Sequence, residues 1–465
     1  MDDLAHILRL AATAAAGYRA GVGSRPVRPL DSLAQVLEQV GADLPASPTP
    51  PEQVLAQLVD GFSPGVMASA GPRFFGFVIG GALPAASAAD IVTSGWDQCA
   101  FNATLSPAAA AAEQVAGRWL TTILGLPGDA SVGFVTGAQG ANTVSLASGR
   151  HQVLADAGWD VERDGLQGAP RVRVVASEER HATIDRALRL LGLGTSSVAE
   201  VAAGPDGAID VADLARVLDA GAGPTIVCLQ AGNVNTGACD DFREASALAR
   251  QHGAWVHVDG AFGLWAAASP TTRHLVDGVE LADSWSCDGH KWLNVPYDCG
   301  FAICARPQAQ VAAMSYTAAY LTGQGATAPG PADLVPESSR RARGFAVWAA
   351  LRELGTDGVA ELVEHCCVLA RRFASGLAMG GAEVVSDVVL NQVLVSCGDD
   401  SLTDRIVAEV QREGTCWLGA TTWHGRRLLR ISVSNWSTTE DDVDRSVSAI
   451  LRAAAAVADD AAGRR

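Results

Sequence analysis

Hydrophobic and polar positions alternate through the middle of the chain in an order that predicts an α/β fold. Short apolar runs are each followed by a segment in which apolar residues recur at helical spacing. This order is typical of a mostly parallel sheet that is covered by helices. The predicted strands are 133–136, 172–176, 225–230, 254–259 and 300–305. The predicted helices between them are 138–154, 183–191 and 241–252.

The segments that flank this block have different patterns. Residues 1–70 have helical patterning that is broken by the linker PASPTPPE at 45–52, and residues 320–339 are rich in Gly, Pro and Ala, which predicts a long loop. A helix is predicted over 341–354, then a smaller α+β unit with strands in QVLVSC and RRLLRISVS, and a last helix from Thr439. The predicted parts are a helical arm at 1–70, a large domain at 71–320, a mobile loop at 321–340 and a small C-terminal domain at 341–465.

Composition narrows the class of protein. The chain has 465 residues, of which 48% are hydrophobic and 18% charged, and this indicates a globular protein of two or three domains. A net charge of −17 disfavours nucleic acid and anionic membranes as partners. The acidic start, MDDLAHILRL, predicts an amphipathic helix rather than a secretory signal, and no apolar run is long enough to predict a membrane span.

The cysteines give no sign of a metal site. Ten are scattered along the chain, without a CxxC pair or a Cys/His spacing that suggests zinc, so no metal is predicted. Most lie in apolar runs such as TIVCLQ and FAICA, where a reduced cysteine packs as a small hydrophobic residue. We therefore expect a cytoplasmic protein without disulfides.

One cation stands apart from the others. Lys291, in DSWSCDGHKWLNVPYDCG, is the only lysine in the sequence, against 33 arginines. Arginine stays protonated and is no nucleophile, whereas a lysine amine can lose its proton and form a Schiff base with a carbonyl. The alternative is compositional drift that left a single lysine by chance, and the surrounding segments decide between the two.

Two segments suggest groups that would complement this amine. In FVTGAQGANTVSL a strand is followed by small residues and a helix, and backbone N–H groups at such a turn can hold a phosphate. In WVHVDGAFG an apolar strand places Asp259 at its C-terminal end, where a protonated ring nitrogen would be a suitable partner. The alternatives are an ordinary turn and a helix-capping aspartate.

Two further segments follow predicted strands. In ASEERHATIDRAL, His181 stands at the start of a helix, and its flat ring can stack on a heterocycle or serve a structural role. The loop GNVNTGACDD, residues 232–241, can line a ligand or simply turn the chain. All of these segments belong to the sheet edge where open α/β folds bind ligands. An amine, a carboxylate, an imidazole and a phosphate cradle at one edge are what pyridoxal 5′-phosphate requires.

These segments resemble the group II pyridoxal-phosphate-dependent amino acid decarboxylases, the family of aromatic amino acid, histidine and glutamate decarboxylases. The resemblance covers about residues 70–450 and is carried by ADSW....DGHKWL.....DC at 282–299, HVD.A at 257–261 and S...H...DRA at 177–187. It implies the fold type I, aspartate aminotransferase-like architecture, in which a large, mostly parallel sheet domain binds the cofactor and a smaller C-terminal α+β domain follows. It also implies a homodimer, with residues 1–70 resembling the exchanged helical arm.

The resemblance implies a role for each matching residue. Lys291 would form the Schiff base, and Asp259 would pair with the pyridinium nitrogen. His181 would stack on the ring and help orient the substrate carboxylate, while Ala261 would pack on the other face. The residues expected near the phosphate, or elsewhere against the cofactor, are Ala138, Gln139, Gly140, Asn235, Asp288 and His290.

The implied reaction is decarboxylation of an L-amino acid. Many relatives carry a tyrosine on the loop before the RR.R....W helix, but residues 321–339 contain none; Tyr316 and Tyr320 precede this loop and are candidate substitutes. Oxidative deamination to an aldehyde and retro-aldol carbon–carbon cleavage therefore stay open as alternatives. FFGFVIGG and the segment around Phe101 suggest a pocket for an aromatic side chain, with Phe77, Val78 and Phe101 as substrate contacts, although these residues suit a plain core equally well.

Overall fold

The computed structural model describes residues 2–316 and 330–463. The helices are α1 (Asp2–Gly21), α2 (Leu33–Val40), α3 (Pro51–Phe62), α4 (Pro84–Trp96), α5 (Pro107–Ile123), α6 (Ala138–Asp156), α7 (Val161–Asp164), α8 (Ala182–Leu190), α9 (Val211–Asp219), α10 (Phe242–Gln251), α11 (Pro307–Met314), α12 (Gly344–Met379), α13 (Thr403–Glu413) and α14 (Glu440–Gly463). The strands are β1 (Ser131–Val135), β2 (Arg173–Ser177), β3 (Val198–Val201), β4 (Thr225–Gln230), β5 (Trp255–Asp259), β6 (Ser284–Asp288), β7 (Gly300–Cys304), β8 (Glu383–Val384), β9 (Gln392–Ser396), β10 (Gly419–Trp423) and β11 (Arg426–Ser432).

The chain forms two compact units, and both combine segments that are distant in sequence. The larger unit consists of Ala82–Ala370 and Ser386–Val393. The smaller consists of Met1–Gly81, Arg371–Val385 and Leu394–Arg465. The division of the chain at residues 70, 320 and 340 stays a prediction, and most of its loop, residues 321–329, lies outside the described residues.

The larger unit is built on a seven-stranded sheet with the order β1-β7-β6-β5-β4-β2-β3. Neighbouring strands from β6 to β3 are parallel, and only β7 runs antiparallel to both of its neighbours. The predicted mostly parallel α/β sheet is therefore confirmed. Every residue of β4 and β5 is buried, as expected for parallel strands that are covered on both faces.

The sequence pattern missed two strands of this sheet. The first, β3, is a four-residue edge strand with only one fully buried position. The second, β6, has the sequence SWSCD, and its serines and aspartate are buried although they read as polar loop residues. Because β6 lies between β5 and β7, it brings the segment before Lys291 beside Asp259.

The smaller unit contains the N-terminal helices and a four-stranded antiparallel sheet with the order β10-β11-β9-β8. The predicted strands QVLVSC and RRLLRISVS correspond to β9 and β11, whereas β8 and β10 were not predicted. The helix predicted over 341–354 is the first part of α12, which Gly355 interrupts with a φ of 61°. This left-handed conformation is one that glycine adopts without strain, so the predicted end of the helix coincides with a real kink.

Candidate active site

The chemistry-bearing segments meet at one edge of the large sheet, as predicted. Because β1, β2, β4, β5 and β6 run in the same direction, their C-terminal ends lie along this edge. The turn before α6 follows β1, and His181 follows β2. Asp259 ends β5, and Lys291 lies three residues after the end of β6.

Lys291 forms an ion pair with the carboxylate that ends β6. Its Nζ lies 3.0 Å from Oδ2 of Asp288, whose side chain is only 3% exposed. The other oxygen, Oδ1, accepts a 2.5 Å hydrogen bond from the backbone N–H of Ala138 at the start of α6. Asp288 thus connects the amine to the N-terminus of a 19-residue helix.

The turn between β1 and α6 has the close packing of an anion-binding turn. A Cβ added at Gly137 would lie 2.9 Å from Cε1 of His290 and 3.2 Å from Oδ1 of Asp288. A Cβ at Gly300, on β7, would lie 2.5 Å from Cα of Gly137. Glycine is therefore required at both positions, and the first amides of α6 lie beside His290, where the helix dipole favours a negative charge.

Gln139 and Gly140 follow Ala138 in the first turn of α6. The side-chain amide of Gln139 donates to the carbonyl oxygen of Thr183 at 3.3 Å, so it links α6 to the start of α8. A Cβ at Gly140 would be in ordinary contact with Val135, at 3.4 Å. The side chain of Gln139 is thus engaged with the protein, and the N–H of Ala138 with Asp288, so the backbone N–H groups of Gln139 and Gly140 are the donors that this turn offers an anion.

His290 is held by contacts on several sides. Its Nε2 lies 3.5 Å from Oδ1 of Asp288, its Nδ1 accepts from the backbone N–H of Cys299 at 3.2 Å, and its ring stacks on Tyr297 with centroids 4.4 Å apart. Burial lowers the pKa of His290, and the Asp288 carboxylate opposes part of that shift. Burial also raises the pKa of Tyr297 to about 12, with a further contribution from Asp288.

Asp259 is buried, and uncharged donors surround its carboxylate. Its side-chain oxygens accept hydrogen bonds from the side chains of Asn142 at 3.0 Å, Thr183 at 3.3 Å and Ser286 at 3.2 Å, and from the backbone N–H of Ala261 at 3.3 Å. These bonds supply the partners that a buried carboxylate needs. They come from four different segments, so Asp259 does not act as a simple helix cap.

His181 has the structural role that the sequence left open, and its stacking role stays a prediction. It is the N-cap of α8, because its Nδ1 accepts from the backbone N–H of Thr183 at 3.3 Å and lies 2.8 Å from Oγ1 of the same residue. Its ring is nevertheless exposed at the sheet edge. The structural role fixes the ring by one nitrogen and leaves it at the surface where a flat ligand can stack.

The loop after β4 and the turn after β5 complete this edge. Asn235 is buried, and its backbone N–H donates to the side chain of Asn233 at 2.8 Å. Ala261 donates to Asp259 through its N–H and accepts from the N–H of Asp288 through its carbonyl at 3.0 Å. Ala261 therefore links the carboxylate of Asp259 to the backbone of Asp288.

The three residues that are predicted to contact the substrate are divided between the two units. Phe101 lies in the larger unit, where its carbonyl accepts from the N–H of Ala332 at 3.1 Å. Phe77 and Val78 lie in the smaller unit and have φ values of 54° and 58°, which are rare for bulky and β-branched residues. Phe77 is 63% exposed, whereas Val78 is buried.

The ring of Trp417 packs against this strained segment and supports it. Its ring stacks on Phe74 with centroids 4.8 Å apart and contacts Phe77 at 5.2 Å. A Cβ on Gly76 would lie 2.0 Å from the ring of Trp417, so only glycine permits this packing. Strained backbone that presents an exposed aromatic side chain is typical of ligand-contacting segments.

Of the two tyrosines that precede the predicted mobile loop, only one belongs to the described residues. Tyr316 is described, and its hydroxyl lies 2.8 Å from the hydroxyl of Ser338. Residues 317–329, which include Tyr320, are not described.

Sequence reasoning missed several residues that hold the site together, namely Asn142, Thr183, His257, Ser286 and Tyr297. A signal was present in β5 and β6, because WVHVD and SWSCD alternate polar and apolar residues. Alternation at period two places their polar side chains on one face of the sheet. Helix α6 packs on that face, and Asn142 lies one turn after Ala138 on the same helix.

No helix within residues 2–316 and 330–463 combines the length and apolar character that crossing a membrane requires. The same residues contain no cluster of three His, Cys, Asp or Glu side chains arranged to hold a metal ion.

Comparisons with known proteins agree with this geometry. The pyridoxal-dependent decarboxylase conserved domain matches residues 34–396. Tryptophan decarboxylase 1 of Oryza sativa subsp. japonica is 28% identical, over 97% of this chain and 93% of the relative. The aromatic-L-amino-acid decarboxylase of Bacillus atrophaeus is 27% identical, over 80% of this chain and 79% of the relative. A crystal structure of Oryza sativa TDC with PLP and tryptamine has a TM-score of 0.90 at 26% identity and covers 98% of both chains.

These matches confirm the fold type I architecture and favour decarboxylation over oxidative deamination and retro-aldol cleavage. The chain belongs to the pyridoxal-dependent decarboxylase family, and it is an amino acid carboxy-lyase whose cofactor is pyridoxal 5′-phosphate.

Proposed function

We propose that this enzyme decarboxylates aromatic L-amino acids at the sheet edge described above, with Lys291 carrying the cofactor. The observation that supports this assignment most directly is the pairing of the only lysine with Asp288, next to the N-terminus of α6 and one strand away from Asp259. An amine, an anion-binding turn and a buried carboxylate are thereby grouped on neighbouring elements.

The residues at this edge fit pyridoxal phosphate. The first amides of α6 would hold the phosphate, because a side chain at Gly137 would fill the space beside them. The cofactor supplies an aldehyde for attachment to amines and a protonated ring that accepts the electrons of the bond broken at Cα. Lys291 would provide the attachment point. Asp259 would accept a hydrogen bond from the protonated ring nitrogen.

Each remaining residue would orient a partner. His181 would lie against the ring and the substrate carboxylate, since its ring is exposed and fixed at Nδ1. Ala261 would pack on the opposite face, where a larger side chain would compete for space. Further cofactor contacts are proposed for Ala138, Gln139, Gly140, Asn235, Asp288 and His290.

Aromatic substrates are favoured by two observations. Phe77 is exposed on a strained backbone that is supported by Trp417, as expected for a side chain that contacts a ligand. The relatives named above act on tryptophan and on aromatic L-amino acids. We therefore propose Phe77, Val78 and Phe101 as the residues that contact the substrate side chain.

A product assay tests the reaction and the substrate together. Purified holoenzyme is incubated with tryptophan, tyrosine, phenylalanine, histidine and glutamate, and CO2, amine, aldehyde, ammonia and H2O2 are measured. We expect equal amounts of CO2 and amine, with the aromatic substrates turned over fastest. Aldehyde with H2O2 in place of amine would contradict simple decarboxylation, and faster turnover of glutamate would contradict the aromatic assignment.

The attachment point has its own test. Holoenzyme is reduced with borohydride and digested, and the peptides are analysed by mass spectrometry. We expect the pyridoxyl adduct on the peptide that contains Lys291, while a reduced holoenzyme without an adduct at this residue would refute the assignment.

We also propose that the enzyme is a homodimer, because both units expose apolar surface. Helices α4, α5 and α12 line an apolar groove of about 420 Å³, which includes the exposed side chains of Val92, Trp96 and Trp348. The N-terminal arm exposes a series of apolar residues, which are Leu4, Leu8, Leu30, Leu33, Leu37, Val54 and Leu58. Exposed apolar surface of this extent indicates an interface, and a second copy of the chain would cover it.

Light scattering after size-exclusion chromatography tests this proposal. We expect a mass of twice the 47.9 kDa of one chain. Trp348→Glu should shift the mass toward the monomer, whereas Trp436→Glu, a change to a partly exposed tryptophan outside the groove, should leave it unchanged. A monomeric wild-type enzyme with full activity would refute the dimer.

A cytoplasmic location is proposed from the thiols. All ten cysteines are free, and burial raises the pKa of most of them, including Cys287 and Cys299 beside the site. Thiols persist in a reducing compartment. Cell fractionation should recover the enzyme in the cytoplasmic fraction.

A further inference from the structure

A buried chain of hydrogen bonds leads to Asp259 from the interior of the sheet. Nε1 of Trp255 donates to Oγ of Ser284 at 2.9 Å, and this Oγ lies 3.1 Å from Nδ1 of His257. Nε2 of His257 lies 2.9 Å from Oδ1 of Asn142, and Nδ2 of Asn142 donates to Oδ2 of Asp259 at 3.0 Å. All five residues are buried.

The residue types determine which group donates and which accepts at each step of this hydrogen-bond chain. The Trp255 indole can only donate, so the Ser284 hydroxyl is an acceptor there and has its own hydrogen available for Nδ1 of His257. Burial lowers the pKa of His257 to about 4, so its ring is neutral. Because Oδ1 of Asn142 can only accept, the one ring hydrogen is on Nε2. That hydrogen is donated to Oδ1 of Asn142, which orients the amide nitrogen toward Asp259.

The second hydrogen of the Asn142 amide reaches the other side of the site. Nδ2 lies 3.1 Å from Oγ1 of Thr183, which in turn lies 2.8 Å from Nδ1 of His181. A single side chain therefore holds the carboxylate at the end of β5 and, through Thr183, the imidazole that caps α8.

We propose that Asn142 and His257 are positioning residues for the cofactor, in that they orient Asp259 toward the ring nitrogen and couple its position to that of His181. The inference rests on the proposed function, since it requires that Asp259 pairs with the nitrogen of pyridoxal phosphate. Neither residue need touch the cofactor or substrate, because both act through Asp259 and Thr183.

The neutral donors of this hydrogen-bond chain suit a positioning role better than a purely structural one. A buried aspartate whose charge is to serve a ligand needs neutral donors behind it, because a cation there would compete for the carboxylate. Asn142, Thr183, Ser286 and the amide of Ala261 are all neutral. The neutral ring of His257 fixes the amide without adding a positive charge.

A pair of cofactors tests the proposal by binding rather than by turnover. Dissociation constants are measured by equilibrium dialysis for pyridoxal phosphate and for its analogue in which the ring nitrogen is replaced by C–H. The wild type should prefer the natural cofactor. Asn142→Leu, which keeps the volume but removes both donors, should reduce this preference about tenfold or more, as expected for loss of a hydrogen bond to a charged group.

Matched variants separate positioning from general damage. Ser148→Ala removes another buried polar group from α6, whose hydroxyl bonds only within the helix to Val144 at 2.9 Å, and it should keep the wild-type preference. His257→Gln retains an amide donor for Asn142 and should keep most of the preference, whereas His257→Leu should lose it. If Asn142→Leu does not fold, the two variants of His257 decide.

The outcomes are distinct. Wild-type preference in Asn142→Leu, or in His257→Leu when Asn142→Leu does not fold, would overturn the positioning role and leave the proposed function intact. Equal affinity of the wild type for the two cofactors would show that Asp259 does not pair with the ring nitrogen, and both proposals would then fail. Loss of the preference in Ser148→Ala to the same extent as in Asn142→Leu would also overturn the positioning role.

Discussion

Two carboxylates end neighbouring strands of the large sheet, and their surroundings differ. Asp259, at the end of β5, accepts hydrogen bonds from four neutral groups of the described part of the chain. Asp288, at the end of β6, faces the ammonium of Lys291 at 3.0 Å and the imidazole of His290 at 3.5 Å. Both side chains are buried, so solvent does not explain the difference.

The difference indicates what each charge is used for. The charge of Asp288 is balanced within the protein, where it holds Lys291 beside the start of α6. Asp259 has neutral hydrogen-bond donors, and in residues 2–316 and 330–463 no ion pair involves it, so its charge suits a positively charged group of a ligand. We therefore propose that Asp288 organises the protein and that Asp259 serves the cofactor.

Removal of the amine beside Asp288 should have the largest effect. Lys291→Ala leaves no nucleophile at this edge, and we expect decarboxylation to fall by about a thousandfold or more. Steady-state rates and the borohydride adduct measure this loss. Asn391→Ala, a change to a buried polar residue of the same unit, is the control, and an adduct that persists in Lys291→Ala would contradict the assignment.

Removal of the charge of Asp259, the carboxylate that we propose for the cofactor, should have the next largest effect. Asp259→Asn keeps the shape but removes the charge, and we expect kcat/KM to fall about a hundred- to a thousandfold, as for loss of one preorganised electrostatic interaction. Asp259→Glu should recover part of the loss. A smaller effect than that of Asp288→Asn would invert the proposed division between the two carboxylates.

The neutral surroundings of Asp259 predict a pH dependence of stability. The pKa of His257 falls from its ordinary 6.5 to about 4 on folding, so the unfolded chain binds more protons in this range. Its contribution of about 3 kcal/mol is complete above pH 6.5 and is lost as the pH falls toward 4. Urea unfolding across this range should show a flatter profile for His257→Gln than for the wild type.

Two controls isolate this contribution. The exposed His274 supplies a matched variant, His274→Gln, whose profile should follow the wild type. Asp240, whose pKa burial raises to about 7, contributes with the opposite sign, but it is present in every protein compared and cancels from the difference. Identical profiles for His257→Gln and the wild type would show that His257 is not neutral in the folded state.

The smallest effect is expected at the internally balanced carboxylate. Asp288→Asn keeps a hydrogen-bond acceptor for Ala138 but weakens the hold on Lys291, and we expect kcat to fall about tenfold, consistent with loss of one charge-assisted hydrogen bond. Affinity for pyridoxal phosphate should fall by a similar factor. Ser286→Ala, which removes one of the donors of Asp259 on the same strand, is a useful comparison and should cost less than Asp259→Asn.

The sequence singled out candidate reactive groups because their residue types are chemically selective. A single lysine among arginines indicates an amine that must react, and an aspartate at the end of an apolar strand indicates a buried charge with a function. His181 and the turn at Ala138 were likewise found from their places after strands. All of these are local signals, and the parallel sheet needs only strand direction to bring them to one edge.

The supporting residues could not be found in this way. Ser286 reads as a loop serine until β6 is inserted beside β5, and only this pairing brings its hydroxyl within 3.2 Å of Asp259. Asn142 reads as a polar residue within a helix until α6 packs on the polar face of β5. Trp417 lies about 340 residues after Gly76, and no local pattern connects them.

By itself, the sequence determined the fold class and the edge of the sheet at which Lys291 and Asp259 meet, because periodicity and residue chemistry are local properties. The tertiary structure alone decided which groups surround each carboxylate, since strand order and helix packing join segments that are up to 150 residues apart. Asp259 and Asp288 are the same residue type at equivalent strand ends, and only the tertiary structure gives them different neighbours.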